Sequence, residues 1–321
     1  MTAPDVCVVV VSYNALSWLQ RCLASIPART PGGRVVETVV VDNASGAATQ
    51  EYLATRPHGV RLLQQQTNLG FGAACNLGAA ATAAPLILLL NPDAALHAGT
   101  IDELADFLEG EPRRGIVGGR TIAEDGTLDP RSCWARPTVW STFSWATGLS
   151  SVFRRSPVFD PESMGRWARD TVREVDIVTG CLLMASRATW TLLGGFDERY
   201  FMYGEDADLS LRARRAGLRP SITPRAVALH AVGASSANRL AKQRLLLRGK
   251  ATLVHEHWGP LRRALGVRLL VAGVGLRAVA ETATGKEPVM RPLWRERAVW
   301  SAGWTTAPRP AAVGDGTPKR G

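Results

Sequence analysis

The sequence predicts an α/β fold built on a mainly parallel sheet. Continuous β-branched runs such as VCVVVVS at residues 6–12 indicate strands buried on both faces, which is typical of parallel sheets. Strand patterns alternate with helical patterns, as expected for successive strand–helix–strand units. Polar residues close the strand patterns, and in open sheets of this class a ligand lies outside the carboxyl ends of the strands.

The elements follow in a regular order. Strands are predicted at 6–14, 35–45, 60–66 and 85–93, and helices at 15–26 and 70–82. Residues 129–173, rich in Trp, Pro, Ser and Arg, show no clean period and predict a long loop, of the kind that often forms lids or binding sites. A strand and a helix are predicted within 175–196, a helix at 207–217 with Gly217 as its C-cap, and a short strand ending at His230.

Charge divides the chain into two parts. Residues 1–211 contain 17 Lys and Arg against 23 Asp and Glu, whereas residues 212–321 contain 21 against 5. From about residue 236 the pattern is helical and basic, and residues 305–321 predict a disordered tail. A basic segment can bind nucleic acid, an anionic membrane or a phosphorylated ligand, and charge alone does not choose among them.

Compartment and membrane signals are few. The five cysteines are scattered and form no CxxC pair, so they predict neither a zinc site nor a disulfide framework and favour a reducing cytosol. The N-terminal residues show no signal-peptide pattern. The most apolar segment, 264–280, carries Arg268 and Arg277 and falls short of the roughly 20 apolar residues that span a bilayer.

Polar residues end two of the predicted strands. Asp42 and Asn43 can hydrogen-bond a heterocycle and a ribose, although turn chemistry explains such a pair equally well. Asp93 follows an apolar strand and Pro92, which lets the chain turn out of the sheet. A carboxylate in that position suits a hard divalent cation, and an Asx turn or helix cap is the alternative.

The sharpest cluster is GGFDERYFMYGEDADLSLRARRAG at residues 194–217. Gly204 allows a tight turn before Glu205 and Asp206, and the following helix would hold the Asp206 carboxylate at its N-terminus, facing the crevice where a general base is needed. Asp208 lies in the first helical turn and is expected to act as a helix cap. Taken alone, the motif fits a structural role and a catalytic role equally well.

Two further motifs have structural alternatives. His230 ends a strand beside apolar residues, where a packing role is commoner than metal binding, although an imidazole near carboxylates can bind a metal. In NLGFGAACNLG at 68–78, Cys75 stands where the dinucleotide fingerprint has its third glycine, which argues against NAD or FAD. The small-residue start of this helix can still approach a phosphate closely.

Taken in order, seven segments resemble the family-2 glycosyltransferases of the GT-A fold. They are VVVVSYN, VVVDNAS, TNLGFGAACNLG, LLLNPD, TGCLLMASR, the 194–217 segment and PRAVALHAVGASS. The resemblance implies a GT-A catalytic domain over 1–235, with a nucleotide-sugar half to about residue 95 and an acceptor half from about 96, followed by a basic helical membrane-associating region over 236–304. The variants of these motifs are most similar to bacterial rhamnosyltransferases, including enzymes that add rhamnose to polyprenyl-diphosphate-linked GlcNAc in cell-wall linker assembly.

The resemblance also implies roles for individual residues. The nucleoside would be held by Ser12, Asn14, Asp42 and Asn43, and the rest of the donor site would be lined by Asn68, Gly70, Phe71 and Asn76. Asp93 would bind Mg or Mn together with the donor diphosphate, and His230 would be a further metal or phosphate ligand. Asp206 would be the catalytic base. Gly180, Tyr203 and Glu205 would lie on the acceptor side, with the Trp-rich 129–173 stretch.

The implied reaction is a single displacement that inverts the anomeric centre. The base takes a proton from an acceptor hydroxyl as its oxygen attacks, and the metal offsets charge on the departing nucleotide diphosphate. One departure concerns the metal: the family's motif often has two acidic residues, and here the first is Asn91. With one carboxylate, the cation is expected to be held weakly and partly by the diphosphate.

The basic C-terminal part fits an anionic membrane leaflet and an acceptor with a lipid diphosphate. The side chains expected there are Arg239, Lys242, Arg244, Arg248, Arg262, Arg263, Trp294 and Trp300. A solvated basic helix is the alternative. The expected location is cytoplasmic, peripheral on the inner face of the cell membrane, with no nucleic-acid partner and a homodimer left open.

Several alternatives remain for the function. The donor expected from the resemblance is dTDP-rhamnose, with UDP-galactofuranose or a UDP-hexose open. A nucleotidyltransferase would need a glycine-rich, lysine-containing phosphate loop near the N-terminus, and VVVVSYNALSW has none. A non-catalytic sugar-nucleotide binding protein is disfavoured by the presence of Asp93, Asp206 and His230.

Overall fold

The computed structural model describes residues 3–231, 239–284 and 288–305. The strands are β1 Val6–Ser12, β2 Val36–Asp42, β3 Arg61–Gln64, β4 Leu86–Leu90, β5 Ala94–Leu96, β6 Ile116–Ile122, β7 Leu128–Asp129, β8 Cys133–Trp134, β9 Arg173–Glu174, β10 Ile177–Val178, β11 Leu182–Ser186 and β12 Ser221–His230. The helices are α1 Leu16–Ala24, α2 Ala47–Ala54, α3 Phe71–Ala80, α4 Thr100–Glu109, α5 Val139–Thr147, α6 Leu149–Val152, α7 Arg187–Leu193, α8 Glu205–Arg215, α9 Arg239–His257, α10 Pro260–Thr284, α11 Met290–Arg295 and α12 Arg297–Ser301.

One large, mostly parallel sheet forms the centre of the fold. Its strand order is β3-β2-β1-β4-β11-β6-β12-β5, with β7 beside β6 and β9 beside β12. The first four strands are parallel, β11 runs antiparallel to both β4 and β6, and β5 runs antiparallel to β12. The predicted α/β class with a mainly parallel sheet is confirmed.

The β-branched runs form the core because helices cover both faces of the sheet. All seven residues of β1 are buried, and their alternating side chains enter two different apolar clusters, with Val8 and Val10 in one and Val9 and Val11 in the other. Strands buried on both faces have little room for polar side chains. The polar residues therefore collect at the strand ends, where the chain leaves the sheet.

The predicted long loop at 129–173 is wrong in part, because it contains helices α5 and α6. The aromatic, Thr and Ser residues of α5 have modest helix propensity, which hides the helix in the sequence. Thr138 and Ser141 form a capping box at its start. Packing against α10 supplies the rest: a β-carbon at Gly273 would lie 2.7 Å from the Cα atom of Ala146.

The C-terminal helices have an apolar core of their own, and it corrects one of the predicted membrane contacts, that of Trp300. Trp300 is fully buried there with Leu270 and Leu293, and Arg244 is paired with Glu296 on α11–α12 at 2.6 Å. The sequence did not show which face of each helix turns inward. In the part of the chain that the structure describes, no helix is both long and apolar enough to cross a membrane. Of the tail predicted at 305–321, residues 306–321 lie outside the described ranges.

Candidate active site

The end of the sheet brings together two buried polar side chains with unused hydrogen-bonding capacity. Ser12 and Asp42 are register partners at the ends of β1 and β2, and both are at most 1% exposed. Ser12 Oγ and Asp42 Oδ2 have no hydrogen-bond partner among the described residues, while Asp42 Oδ1 accepts from the Ser45 N–H at 3.2 Å. Buried polar atoms without partners are costly, so this pair is suited to a ligand that supplies the partners.

Three asparagines fix the loops around Ser12 and Asp42 through hydrogen bonds. The Asn43 amide bridges to Asn68 and the Gly70 carbonyl through its Nδ2, at 2.9 and 3.1 Å, and its Oδ1 accepts from the Leu69 N–H at 2.8 Å. Asn14, with a left-handed φ of 53°, accepts from the backbone of Gly46 at 2.7 Å. These side chains fix the rim of the crevice, so Asn14, Asn43 and Asn68 lie beside Ser12 and Asp42 as the sequence predicted.

The start of α3 joins this rim to the acceptor side. Gly70 has a φ of 87°, and a β-carbon there would overlap the main-chain carbonyl oxygen of Phe201, to which the Phe71 N–H donates at 2.9 Å. The Phe71 ring lies 3.0 Å from the position that a β-carbon of Gly180 would take. Gly180 in turn donates its N–H to Asp206 at 3.1 Å. A continuous line of contacts therefore runs from Asn43 to Asp206.

Asn76 lies apart from the other predicted donor-site residues. Its amide forms two hydrogen bonds of 2.9 Å with the backbone N–H and carbonyl of Phe196, and a third with Glu198 at 3.1 Å. These bonds fix the turn after α7. The contacts do not support the predicted role of Asn76 in donor binding.

Asp93 and His230 come together, with a third residue that the sequence analysis missed. Asp93 sits in the short turn between β4 and β5, and its Oδ1 lies 3.6 Å from Nε2 of His230 at the end of β12. His230 Nδ1 lies 2.8 Å from Oδ2 of Asp129, which is 3% exposed. Burial lowers the pKa of His230, but the hydrogen bonds to Asp129 and Asp93 outweigh it and raise the pKa to about 9. Burial raises the pKa of Asp129, but His230 and Arg131 outweigh it and lower the pKa.

This arrangement fits a divalent cation held by few protein ligands. A metal-bound histidine commonly donates its other ring nitrogen to a carboxylate, and Asp129 has that position relative to His230. Oxygen and imidazole nitrogen ligands suit Mn or Mg when a phosphate supplies further oxygens. Within the described ranges, no group of three or more His, Cys, Asp or Glu side chains forms a complete metal site. Asp93 and His230 are the residues that could hold such an ion, which would displace the proton on Nε2 of His230.

The N-terminus of α8 carries the predicted base. Asp206 Oδ2 accepts from the Gly180 N–H at 3.1 Å and Oδ1 from the Ala207 N–H at 2.7 Å, which fixes the carboxylate in one orientation. Burial raises the pKa of Asp206, although these backbone hydrogen bonds oppose the change. The neighbouring Glu205 is 5% exposed, with Oε2 unpartnered among the described residues. Burial, and then the charge of Asp206, raises the pKa of Glu205 to about 8.

The charges of Asp93, Asp129 and Asp206 all act on one buried thiol, that of Cys181. Burial raises the pKa of the Cys181 thiol to about 12, and the charges of Asp129, Asp206 and Asp93 all add to this effect. Burial, and then the charges of Glu205 and Asp93, raises the pKa of the Tyr203 phenol. The site therefore combines a candidate metal position with one fixed carboxylate, that of Asp206.

Asp208 corrects a prediction, because it is not a helix cap. Its carboxylate is nearly fully buried, with Oδ2 accepting from Arg212 Nε at 2.7 Å and Oδ1 lying 2.7 Å from Nε2 of His257 on α9. The N-cap position of α8 is Gly204, without a side-chain cap. Asp208 instead joins α8 to the C-terminal helices. An argument from the local sequence predicted a cap at Asp208 and missed its partner, which lies 49 residues away.

Comparison with known proteins assigns the family. Residues 7–165 match the model of glycosyl transferase family 2. The chain belongs to family 2 and is an inverting glycosyltransferase. It is 33% identical over 276 residues to the N-acetylglucosaminyl-diphospho-decaprenol L-rhamnosyltransferase of Mycobacterium tuberculosis, an alignment that covers 80% of this chain and 88% of that relative. The predicted family and its rhamnosyltransferase-like branch are confirmed.

Solved structures share the GT-A fold at low sequence identity. The mannosyltransferase PcManGT of Pyrobaculum calidifontis, in complex with GDP-Man and Mn²⁺, aligns with a TM-score of 0.54 and 20% identity over 94% of this chain and 84% of its own. GalNAc-T7, with UDP, GalNAc and Mn²⁺, aligns with a TM-score of 0.57 and 16% identity over 93% of this chain and 55% of its own. At these identities the likeness is one of fold, and it confirms the predicted GT-A architecture.

Proposed function

We propose that this enzyme transfers L-rhamnose from dTDP-rhamnose to a hydroxyl of a polyprenyl-diphosphate-linked saccharide, with inversion at the anomeric carbon. The observation that carries the proposal is the line of contacts from Asn43 through Gly70 and Phe71 to Gly180 and Asp206. This line joins the sheet end, where Ser12 and Asp42 have polar atoms without partners, to the fixed carboxylate of Asp206. The name of the 33% identical relative supports the choice of rhamnose and of a lipid-diphosphate acceptor.

The donor half is residues 1–95, and Ser12 and Asp42 are its nucleoside ligands. A buried carboxylate can accept from an imide N–H or a ribose hydroxyl, and a serine hydroxyl can both donate and accept. Their unused atoms lie on neighbouring strands of the same sheet end. The donor diphosphate then extends along the crevice toward Asp93 and His230.

Asp93 and His230 hold a divalent cation, Mg or Mn, together with the donor diphosphate. Such a cation would offset the negative charge of the departing nucleotide diphosphate. Asp129 keeps the imidazole of His230 oriented, with Nε2 toward Asp93. With Asn91 in place of a second acidic residue, the protein alone is expected to bind the ion weakly.

Asp206 is the general base of the transfer. Two backbone N–H groups hold its carboxylate, and its raised pKa makes it a better proton acceptor than an exposed aspartate. It takes the proton of the acceptor hydroxyl as that oxygen attacks the anomeric carbon from the face opposite the diphosphate. The bond between the anomeric carbon and the diphosphate oxygen breaks in the same step, and the proton remains on Asp206.

The acceptor half is residues 96–235, with Gly180, Tyr203 and Glu205 around the base. Glu205, whose pKa is raised, is protonated at neutral pH and can donate a hydrogen bond to the acceptor sugar. Gly180 leaves room beside Phe71, whose ring would cover an apolar sugar face. Core packing of Phe71 against Phe196 limits how far this ring can move.

The enzyme works in the cytoplasm as a peripheral protein on the inner face of the cell membrane, through the basic helical region 236–304. Arg262 and Arg263 at the start of α10 are exposed and support contact with anionic lipid headgroups. The relative's name includes a decaprenol-linked substrate, which a peripheral enzyme would reach at the membrane surface. A homodimer remains a prediction.

Calorimetric titration with dTDP, UDP and GDP, with and without Mn, tests the donor class. We expect metal-dependent binding of dTDP to the wild type, binding weakened in Asp93→Ala, and unchanged binding in Asp170→Asn, whose carboxylate is exposed. Preference for UDP would replace rhamnose by a UDP-galactofuranose or UDP-hexose donor. Absence of binding to all three would refute the sugar-nucleotide site.

A further inference from the structure

The segment around α5 and α6 exposes a cluster of aromatic side chains, which we call the aromatic cluster. It consists of Trp140, Phe143, Phe153 and Phe159. The ring centroids of Trp140 lie 5.5 Å from Phe143 and 6.1 Å from Phe159, and those of Phe153 and Phe159 lie 4.9 Å apart. Trp140 also donates from Nε1 to the Val158 carbonyl at 2.6 Å. The cluster is therefore held in a defined arrangement by its own contacts.

Despite these contacts, the aromatic cluster leaves a large apolar area in solvent. Trp140 is 45% exposed, Phe143 38% and Phe153 48%, and the adjoining Val152 and Val158 are 74% and 55% exposed. Single exposed apolar side chains are common, whereas contiguous exposed patches mark sites of interaction. An interaction partner for this surface must offer an apolar environment.

Helix α5, which carries Trp140 and Phe143, is held in place by its contacts with α10. The opposite side of α5 packs on α10, where the main chain of Gly273 approaches Ala146 and the Arg277 guanidinium donates to the Ala146 carbonyl at 3.3 Å. Arg277 also lies over the Trp145 ring, 4.4 Å from its centroid. Because α5 is fixed from behind, the rings of Trp140 and Phe143 keep their outward position.

Charge identifies the kind of partner. Residues 130–159 contain four arginines and no aspartate or glutamate; Asp129, just before them, pairs with Arg131, and Asp160, just after them, accepts from the Arg155 backbone N–H at 2.8 Å. Arg154 and Arg155 follow Phe153 directly and are exposed, and their guanidinium groups form no ion pair within the ranges that the structure describes. Aromatic side chains flanked by arginines match the interface of an anionic phospholipid bilayer, where rings lie at headgroup depth and arginines contact phosphates.

The aromatic cluster also belongs to the acceptor side of the enzyme. Its segment leaves the sheet region through β8, where Trp134 pairs with Ile177 of β10, three residues before Gly180. The Thr179 N–H donates to the Ser132 carbonyl at 3.1 Å, next to the same strand pair. A membrane contact here would lie on the part of the chain that is joined to the proposed acceptor site.

We propose that the aromatic cluster, with Arg154 and Arg155, inserts into the interfacial layer of an anionic membrane and seats the enzyme on the surface that carries its acceptor. This inference rests on the proposed lipid-linked acceptor, and it assigns the insertion to α5–α6 rather than to the basic C-terminal helices alone. The C-terminal arginines then add long-range attraction, and the rings supply the apolar contact.

Flotation with vesicles of phosphatidylcholine, with or without 30% phosphatidylglycerol, tests the inference. We expect wild type to float with the anionic vesicles at physiological salt. The variant Phe143→Ser/Phe153→Ser should bind at least tenfold more weakly, and Arg154→Gln/Arg155→Gln should lose binding mainly at low salt and differ less from wild type as salt is raised. Leu192→Ser, a matched change at a 70% exposed residue of α7, should bind like wild type.

Two controls separate the outcomes. The thermal unfolding midpoint and the gel-filtration volume of Phe143→Ser/Phe153→Ser should match those of wild type, which shows that the fold is intact. Undiminished vesicle binding by this variant overturns the inference. So does sedimentation showing that wild type is a dimer and the variant a monomer, since a second copy then covers the cluster. If transfer is undetectable while the variants still lose vesicle binding as expected, the proposed function fails and the membrane surface stands.

Discussion

Gly249 on α9 lies directly against the main chain of Tyr203, so closely that a β-carbon at 249 would overlap the Tyr203 carbonyl oxygen. Tyr203 and the following Gly204 both have left-handed φ values, 68° and 106°. On the other side of the same loop, Gly70 approaches the carbonyl of Phe201 in the same way. The loop that leads into helix α8 is thus held between two glycines, one of them in the basic C-terminal region.

Replacing Gly249 by alanine should displace the proposed base Asp206 indirectly, through the turn at Tyr203. The added methyl group must push the Tyr203 turn away from α9, and overpacking of this kind costs about 1–3 kcal/mol of stability. A shift of the turn moves the start of α8, so we expect kcat to fall by about tenfold or more while donor affinity changes little. Steady-state kinetics and calorimetric donor titration measure the two effects.

Gly259→Ala is the matched control for this prediction. A β-carbon at 259 would meet nothing within 4 Å, and the residue lies between α9 and α10. It should leave kcat and thermal stability close to wild type. If Gly249→Ala retains wild-type kcat, the close approach of α9 does not position the base.

Stability should depend on pH through Asp208. Burial raises its pKa, but His257 and Arg212 outweigh that effect and lower the pKa. A lowered carboxyl pKa contributes stability that is complete above the unfolded value of about 3.9 and is lost as pH falls through the folded value. We therefore expect Asp208→Asn to lose about 3 kcal/mol at pH 7, since it leaves the partly buried Arg212 guanidinium without its carboxylate, and to approach wild type as pH falls below about 4 and through the lowered folded value.

Urea unfolding at a series of pH values measures this difference. Asp106→Asn is the control, since Asp106 pairs with Arg34 but its side chain is 65% exposed. Exposed pairs contribute about 0–1 kcal/mol, so this variant should unfold like wild type. A free-energy difference between Asp208→Asn and wild type that is independent of pH would contradict the role of the ionised carboxylate.

Asp129 should affect metal binding although it is not itself a proposed metal ligand. Asp129→Asn keeps the size of the side chain but removes the charge that orients His230. Such changes typically weaken metal binding by about 10–100-fold. Manganese titration in the presence of the nucleotide diphosphate, followed by electron paramagnetic resonance, should show this loss. Asp125→Asn, at an exposed turn, should not; equal manganese affinity in wild type and Asp129→Asn would refute the arrangement.

The pH dependence of kcat/KM should show an acid limb set by Asp206. Burial raises the pKa of this carboxyl above its ordinary value of 3.8, and only the ionised form can accept a proton. Activity should therefore rise with pH and level off once Asp206 is ionised, with a midpoint above that ordinary value. Glu205→Gln should keep this limb, because Gln mimics the protonated Glu205 that we expect at neutral pH. A midpoint at or below 3.8 would contradict the assignment.

The sequence predicted well those features that depend on local pattern. The buried runs of β1, β2 and β4 identified the sheet, and parallel strands bring their carboxyl ends to one edge whatever the details of packing. Ser12 and Asp42 therefore meet as register partners. Gly70 was found through a motif, and its positive φ explains why only glycine suits that position.

The features that were missed depend on contacts between distant parts of the chain. Asp129 meets His230 across 101 residues, and Asp208 meets His257 across 49. No periodicity or spacing marks such pairs, although Asp129 and Asp93 each stand next to a proline, Pro130 and Pro92. Helix α5 was hidden for the same reason, since packing on α10 stabilises it more than its own residues do.

The most direct test of the central claim is transfer of radiolabelled rhamnose from dTDP-rhamnose to polyprenyl-diphosphate GlcNAc by wild type, Asp206→Asn and the exposed control Asp170→Asn. We expect wild type and Asp170→Asn to be active, and Asp206→Asn to lose about 10²–10⁴-fold in kcat while its dTDP affinity stays unchanged. Equal turnover by Asp206→Asn and wild type would contradict the assignment of Asp206 as the base.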